Sequence, residues 1–147
     1  MEVLFTIGFR QKTAREFFTL LEKNSVSMLV DIRLNNTSQL CAFTKFPDID
    51  FFTRKILGID YVHDLCFAPS EEILSGYRNK LFNWNGYEDR FFALMSKRNV
   101  SDHILKNYLE TDRICLLCSE PTQEKCHRRL VAEKFVEVFG KINIVAL

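Results

Sequence analysis

The sequence predicts a single α/β domain over residues 1–147, built on a mostly parallel sheet with helices on both faces. Three observations carry this. Short, nearly continuous apolar runs alternate with amphipathic stretches, the pattern of strands covered on both sides. A length of 147 residues suits one domain. A composition of 47% hydrophobic and 27% charged residues is ordinary for a chain that buries a core.

Element by element, the apolar run at 3–7 reads as the first strand. Thr13 and Glu16 have capping-box spacing ahead of Phe17, Leu20 and Leu21, so a helix is expected over 14–24. Residues 28–32 form a second buried strand. Asp48 caps a helix through Leu57, Gly58 stops it, and 59–62 is a third strand. Ser70 opens another helical segment, and helices follow over 86–98 and 101–110. A fourth strand at 114–118, a helix over 126–139 ended by Gly140, and a strand at 142–146 complete a second βαβ unit with right-handed crossovers. Residues 35–46 read as one long ordered loop, a kind often used for function.

Charge narrows the partners. Twenty Lys and Arg against nineteen Asp and Glu leave a net charge of +1, which does not support an extended nucleic-acid surface. Any anion site must be local, and a nucleic-acid partner is possible only as an end or a nucleotide. No stretch approaches the ~18 apolar residues that span a bilayer, so no membrane partner is expected. The start carries no basic leader or cleavage site, and five scattered cysteines fit reduced thiols, so the expected location is cytoplasmic.

Ligands of open α/β sheets bind beyond the carboxyl ends of the strands. The residues there are Gly8 after the first strand, Asp31, Arg33, Asn35, Ser38 and Gln39 after the second, His63 after the third, and Cys118 and Glu120 after the fourth. The densest signal joins Cys118 and Glu120 to Cys126, His127 and Arg128, placed in the first turn of the next helix. Unpaired amides and the helix dipole there favour anions and lower thiol pKa values. Cys118, activated by His127 or His63, is the candidate nucleophile, and Arg33 and Arg128 are the candidate anion donors. Asp31 is expected to orient an arginine. Phosphatase-type loops place Arg six positions after the nucleophile, and position 124 is Glu.

Structural readings stand beside these. Arg128 and Arg129 can be solvated or paired with Glu124 and Glu133, and both motif thiols can be small buried hydrophobes. His63 can be a hydrogen-bonded structural residue, His103 reads as surface, and Trp84 and Tyr87 read as aromatic anchors.

Three ordered motifs resemble the domain of unknown function 488 family over nearly the whole chain. They are Thr6-Ile7-Gly8, Asp31-Ile32-Arg33, and Cys118-x-Glu120-x5-Cys126-His127-Arg128. The segment from Arg33 to Leu40 with Phe43, and Tyr61 to Asp64 followed by Ala68-Pro69, are similar to one branch of that family. Ala42 stands where the family pattern has Gly, and Cys41 and Cys66 match no motif residue. The resemblance implies the fold and the choice of residues but no reaction.

Three functions therefore compete. In the first, a small anionic or phosphorylated ligand sits in the crevice and meets Cys118 as a thiolate. In the second, the same crevice binds a ligand or nucleic-acid end without chemistry. The third is a metal site of Cys118, Cys126, His127 and His63. It ranks last, because side chains adjacent on a helix diverge by about 100°. No metal or cofactor is expected.

Overall fold

The computed structural model describes residues 1–38, 41–120 and 124–147. Gln39, named above as a ligand-binding candidate, lies outside them. Five strands make one sheet: β1 (Val3–Gly8), β2 (Met28–Asp31), β3 (Asp60–His63), β4 (Ile114–Cys118) and β5 (Asn143–Ala146), in the order β3-β2-β4-β1-β5. Every neighbouring pair is parallel, with Leu4 opposite Ile114, Gly8 opposite Cys118, and Asp31 opposite His63.

Period-two alternation divides the strand residues between two cores. Phe5, Ile7, Leu29, Cys115 and Leu117 pack with α1 (Ala14–Lys23) and with Ile49 of α2 (Asp48–Phe52). Leu4, Val30, Ile114, Leu116 and Cys118 pack on the other face with α3 (Glu71–Arg78), α4 (Trp84–Lys97), α5 (Val100–Tyr108) and α6 (His127–Phe139). β1 and β4 are neighbours, yet the chain leaves β1 for α1 on one face and β4 for α6 on the other. That divergence opens a crevice at their carboxyl ends.

The expected elements are present, with shifted ends. The capping box at Thr13 is complete, Glu16 N donating to the Thr13 hydroxyl at 3.2 Å and Thr13 N to the Glu16 carboxylate at 2.7 Å. The helix expected through Leu57 is α-helical only over Asp48–Phe52 and widens to a π turn over Thr53–Leu57. There the Thr53 hydroxyl donates to the Ile49 carbonyl at 2.8 Å, and Gly58 at φ +67° ends the run. α4 starts two residues earlier than expected because Asn83 caps it, its Oδ1 accepting from Gly86 N at 3.0 Å. β3 is shifted by one, so His63 closes the strand instead of following it. Among the described residues, no helix is long and apolar enough to cross a membrane.

Candidate functional site

At the carboxyl end of the sheet lies a cleft of about 500 Å³. Its wall combines Arg10 beyond β1, Arg33 to Asn35 beyond β2, Cys118 to Glu120 at the end of β4, and Lys125 to His127 at the start of α6. Pro69 just ahead of α3, Leu74, Tyr77 and Arg78 of α3, and Trp84 and Tyr87 of α4 also line it. Among the described residues, Arg10, Arg33, Arg78 and Lys125 face one carboxylate, that of Glu120, which Arg10 already meets at 3.2 Å. A chain of net charge +1 thus concentrates positive charge locally.

Arg33 is fixed in place. Its Nε donates to Asp31 Oδ1 at 2.7 Å, and its Nη2 to Asp31 Oδ2 at 2.6 Å and to the Thr44 carbonyl at 2.7 Å. The Tyr61 hydroxyl donates to Asp31 Oδ2 at 2.6 Å, and Asn36 Nδ2 donates to that hydroxyl at 3.0 Å. The guanidinium also sits 5.2 Å from the centroid of the Phe9 ring. Burial pulls the Arg33 pKa down, but the Asp31 hydrogen bonds and charge outweigh it and the net direction is up. Burial, then the Asp31 charge, pushes the Tyr61 phenol up, so it stays a donor. Asp31 is a positioning residue: fully buried, it never reaches the cleft wall.

Cys118 ends β4 and lines the cleft. Its Sγ lies 3.5 Å from His127 Nδ1, and His127 Nε2 lies 2.8 Å from the Ile32 carbonyl. A carbonyl only accepts, so Nε2 carries a proton and Nδ1 is the position that exchanges one with the thiol. A hydrogen bond from Cys126 holds the Cys118 pKa well below the ordinary thiol value against the opposing effect of burial. The His127 charge and hydrogen bond and the Ser119 backbone N–H add to that lowering. For His127, burial acts downward, yet the Cys118 charge and hydrogen bond carry the imidazole up. Both shifts run in the direction of a thiolate beside an imidazolium. Cys126 moves the opposite way, pushed up by its hydrogen bond to Cys118 and by burial.

One expectation is overturned here. Cys126 is not in the first turn of α6. It is the N-cap, extended at φ −137° and ψ 135°, and so escapes the 100° divergence from His127. The ligand atoms of Cys118, Cys126 and His127 lie within 4.8 Å of one another, so the geometric argument against a shared soft divalent cation does not hold.

The other residues singled out by sequence lie elsewhere. His63 Nε2 donates to the Arg33 carbonyl at 2.7 Å and does not line the cleft, so it supports Arg33 from below. Arg128 is buried at 1% exposure and donates to the Glu120 carbonyl, which fixes the loop beyond β4 instead of presenting a guanidinium to the cleft. Gly8 lies beneath that contact: a Cβ there would come within 1.6 Å of the Glu120 carbonyl oxygen. Asn35 is on the wall, whereas Ser38 is exposed and away from it. Arg129 pairs with Glu133 at 2.5 Å and with Glu88, which also accepts from Trp84 Nε1 at 2.8 Å, tying α4 to α6. His103 is not a free surface residue, since its Nε2 bonds Asp64 at 2.7 Å beneath the Tyr108 hydroxyl.

Tyr77, Arg78, Trp84 and Tyr87 enter the cleft from α3 and α4, where no strand-end rule points. The only signal for them was the aromatic cluster around Trp84, whose ring stacks on Tyr87 at 4.7 Å.

A family model, Domain of unknown function DUF488, matches residues 13–135. The chain belongs to this family. Two of the three motifs, Asp31 to Arg33 and Cys118 to Arg128, fall inside the matched span, and Thr6 to Gly8 precedes it. No curated protein and no solved structure matches the chain.

Proposed function

We propose that this protein, one DUF488 domain over residues 1–147, binds a small anionic or phosphorylated ligand in the cleft and that Cys118 is the nucleophile toward it. The observation that carries the reading is the Cys118–His127 contact at 3.5 Å, with its proton direction set by the Ile32 carbonyl, opening into a cleft walled by Arg10, Arg33, Arg78 and Lys125. A thiolate is the reactive form of cysteine, and an adjacent imidazolium stabilises it. Arg33, held by Asp31, supplies a preformed donor that loses no further freedom when it meets a ligand. The same cleft holding a ligand without chemistry is the second reading, favoured by the burial of Cys118 to 4% exposure.

Inorganic phosphate tests the binding half. The melting temperature should rise with phosphate concentration, as it does for any ligand of the native state, and iodoacetamide should label Cys118 more slowly. Both effects should shrink in Arg78→Ala, whose side chain is exposed on α3. Absence of both effects, or stoichiometric zinc in the purified protein, would overturn the reading.

A further inference from the structure

The nucleophile reading leaves Cys126 without a task. Its thiol is buried to 2% exposure, lines the same cleft as Cys118, and lies within 4.8 Å of both the Cys118 Sγ and a His127 ring nitrogen. All five cysteines are free thiols, so the two are reduced in this structure. Two thiols and one imidazole at a cleft base are the components of a dithiol that closes on itself after one of them has been attacked.

We propose that Cys118 and Cys126 form a dithiol–disulfide couple, in which Cys118 attacks a carboxylate-bearing low-molecular-weight disulfide and Cys126 resolves the adduct. The choice of a carboxylate-bearing substrate rests on the anion-binding reading of the cleft; the couple itself rests only on the three clustered side chains.

The steps balance. The Cys118 thiolate attacks one sulfur of the substrate disulfide, a new S–S bond forms, the substrate S–S bond breaks, and the departing thiolate takes the proton from His127 Nδ1. The neutral imidazole then takes the proton of the Cys126 thiol. Cys126 attacks Cys118 Sγ, the mixed disulfide breaks, and the second thiolate leaves with the proton that His127 took from Cys126. Two protein thiols are oxidised, one substrate disulfide is reduced, and two substrate thiols are released.

The order of attack follows from the neighbours. While Cys118 is a thiolate, its charge and hydrogen bond hold the Cys126 proton in place. Once Cys118 is in a mixed disulfide that charge is gone; burial still opposes ionisation of Cys126, and the Arg128 backbone N–H at the helix start and the Arg128 charge favour its thiolate. Cys126 therefore holds its proton more tightly while Cys118 is a thiolate than after Cys118 has reacted.

The test uses oxidised glutathione as the anionic disulfide and cystamine as a cationic one, on the reduced full chain, with peptide mapping by mass spectrometry. The expected products are an intramolecular Cys118–Cys126 bond in the wild type, a stable Cys118 mixed disulfide in Cys126→Ser and in Cys126→Ala, and neither in Cys118→Ser. Circular dichroism confirms that each variant is folded. Cystamine should react at least about tenfold more slowly, as expected of charge steering into a cationic cleft. A wild type that stops at a persistent Cys118 mixed disulfide, with Cys126 free, overturns the couple. The intramolecular bond forming at equal rates with both disulfides overturns the anionic substrate while the couple stands.

Discussion

At the scale of single residues, the cleft depends on groups that never enter it. Asp31 is wholly buried and holds the Arg33 guanidinium by two hydrogen bonds, with Tyr61 donating to the same carboxylate. Removing one partner of a buried ion pair leaves an uncompensated charge, at a cost of roughly 3–5 kcal/mol. Asp31→Ala should therefore be strongly destabilised in urea unfolding, far more than Arg78→Ala, an exposed change expected within about 0.5 kcal/mol of wild type. Gly8→Ala is a steric case. Its new methyl would meet the Glu120 carbonyl at 1.6 Å, and the Arg128 guanidinium stands 2.6 Å away. The loop beyond β4 must move, so the expected outcome is a loss of about 1–3 kcal/mol or more together with altered Cys118 labelling. Sequence reasoning reached Asp31, Arg33, Cys118 and His127 because each stands at or just beyond a strand end or begins the helix after one. It could not assign Tyr61 to Asp31, a partner thirty positions away, since that contact exists only through the parallel register of β2 and β3.

At the scale of elements, local chemistry wrote the boundaries where a cap was recognisable. The Thr13 box forms as expected, and losing its hydroxyl in Thr13→Ala should cost about 1 kcal/mol of stability without changing Cys118 reactivity, because α1 covers the face opposite α6. Boundaries shifted where the cap was a residue also common in turns. Asn83 precedes Trp84-Asn85-Gly86, which looks like a loop until Gly86 N is seen to bond Asn83. The consequential shift is at α6. Placing Cys126 inside the helix separated it from His127, whereas the extended N-cap swings its thiol back toward Cys118. One residue of boundary error thus hid that Cys126 joins Cys118 and His127. The aromatic wall from α3 and α4 was illegible for a different reason: its position is set by packing onto the far core, which no local pattern encodes.

At the scale of the whole molecule, the strand order puts a cationic cleft and a low-pKa thiol at the same place. β1 and β4 lie side by side while their connections depart to opposite faces, and the crevice between carries Arg10 from one loop and Cys118 from the other. The sign of the pH effect follows from the shifts. With the thiol pKa lowered, Cys118 loses its charge only when pH falls below that lowered value, so its reactivity should persist well below the ~8.5 midpoint of a free cysteine. With the imidazole raised, His127 supports the thiolate until pH climbs past its own raised value. The most direct test is the rate of Cys118 alkylation from pH 5 to 9 with neutral iodoacetamide and anionic iodoacetate, for wild type and His127→Ala. The account predicts a wild-type midpoint well below ~8.5, a preference for iodoacetate greater than that of a free thiol, and in His127→Ala a midpoint moved upward. A wild-type midpoint at the ordinary thiol value, with a free thiol's ratio between the two reagents, would contradict it.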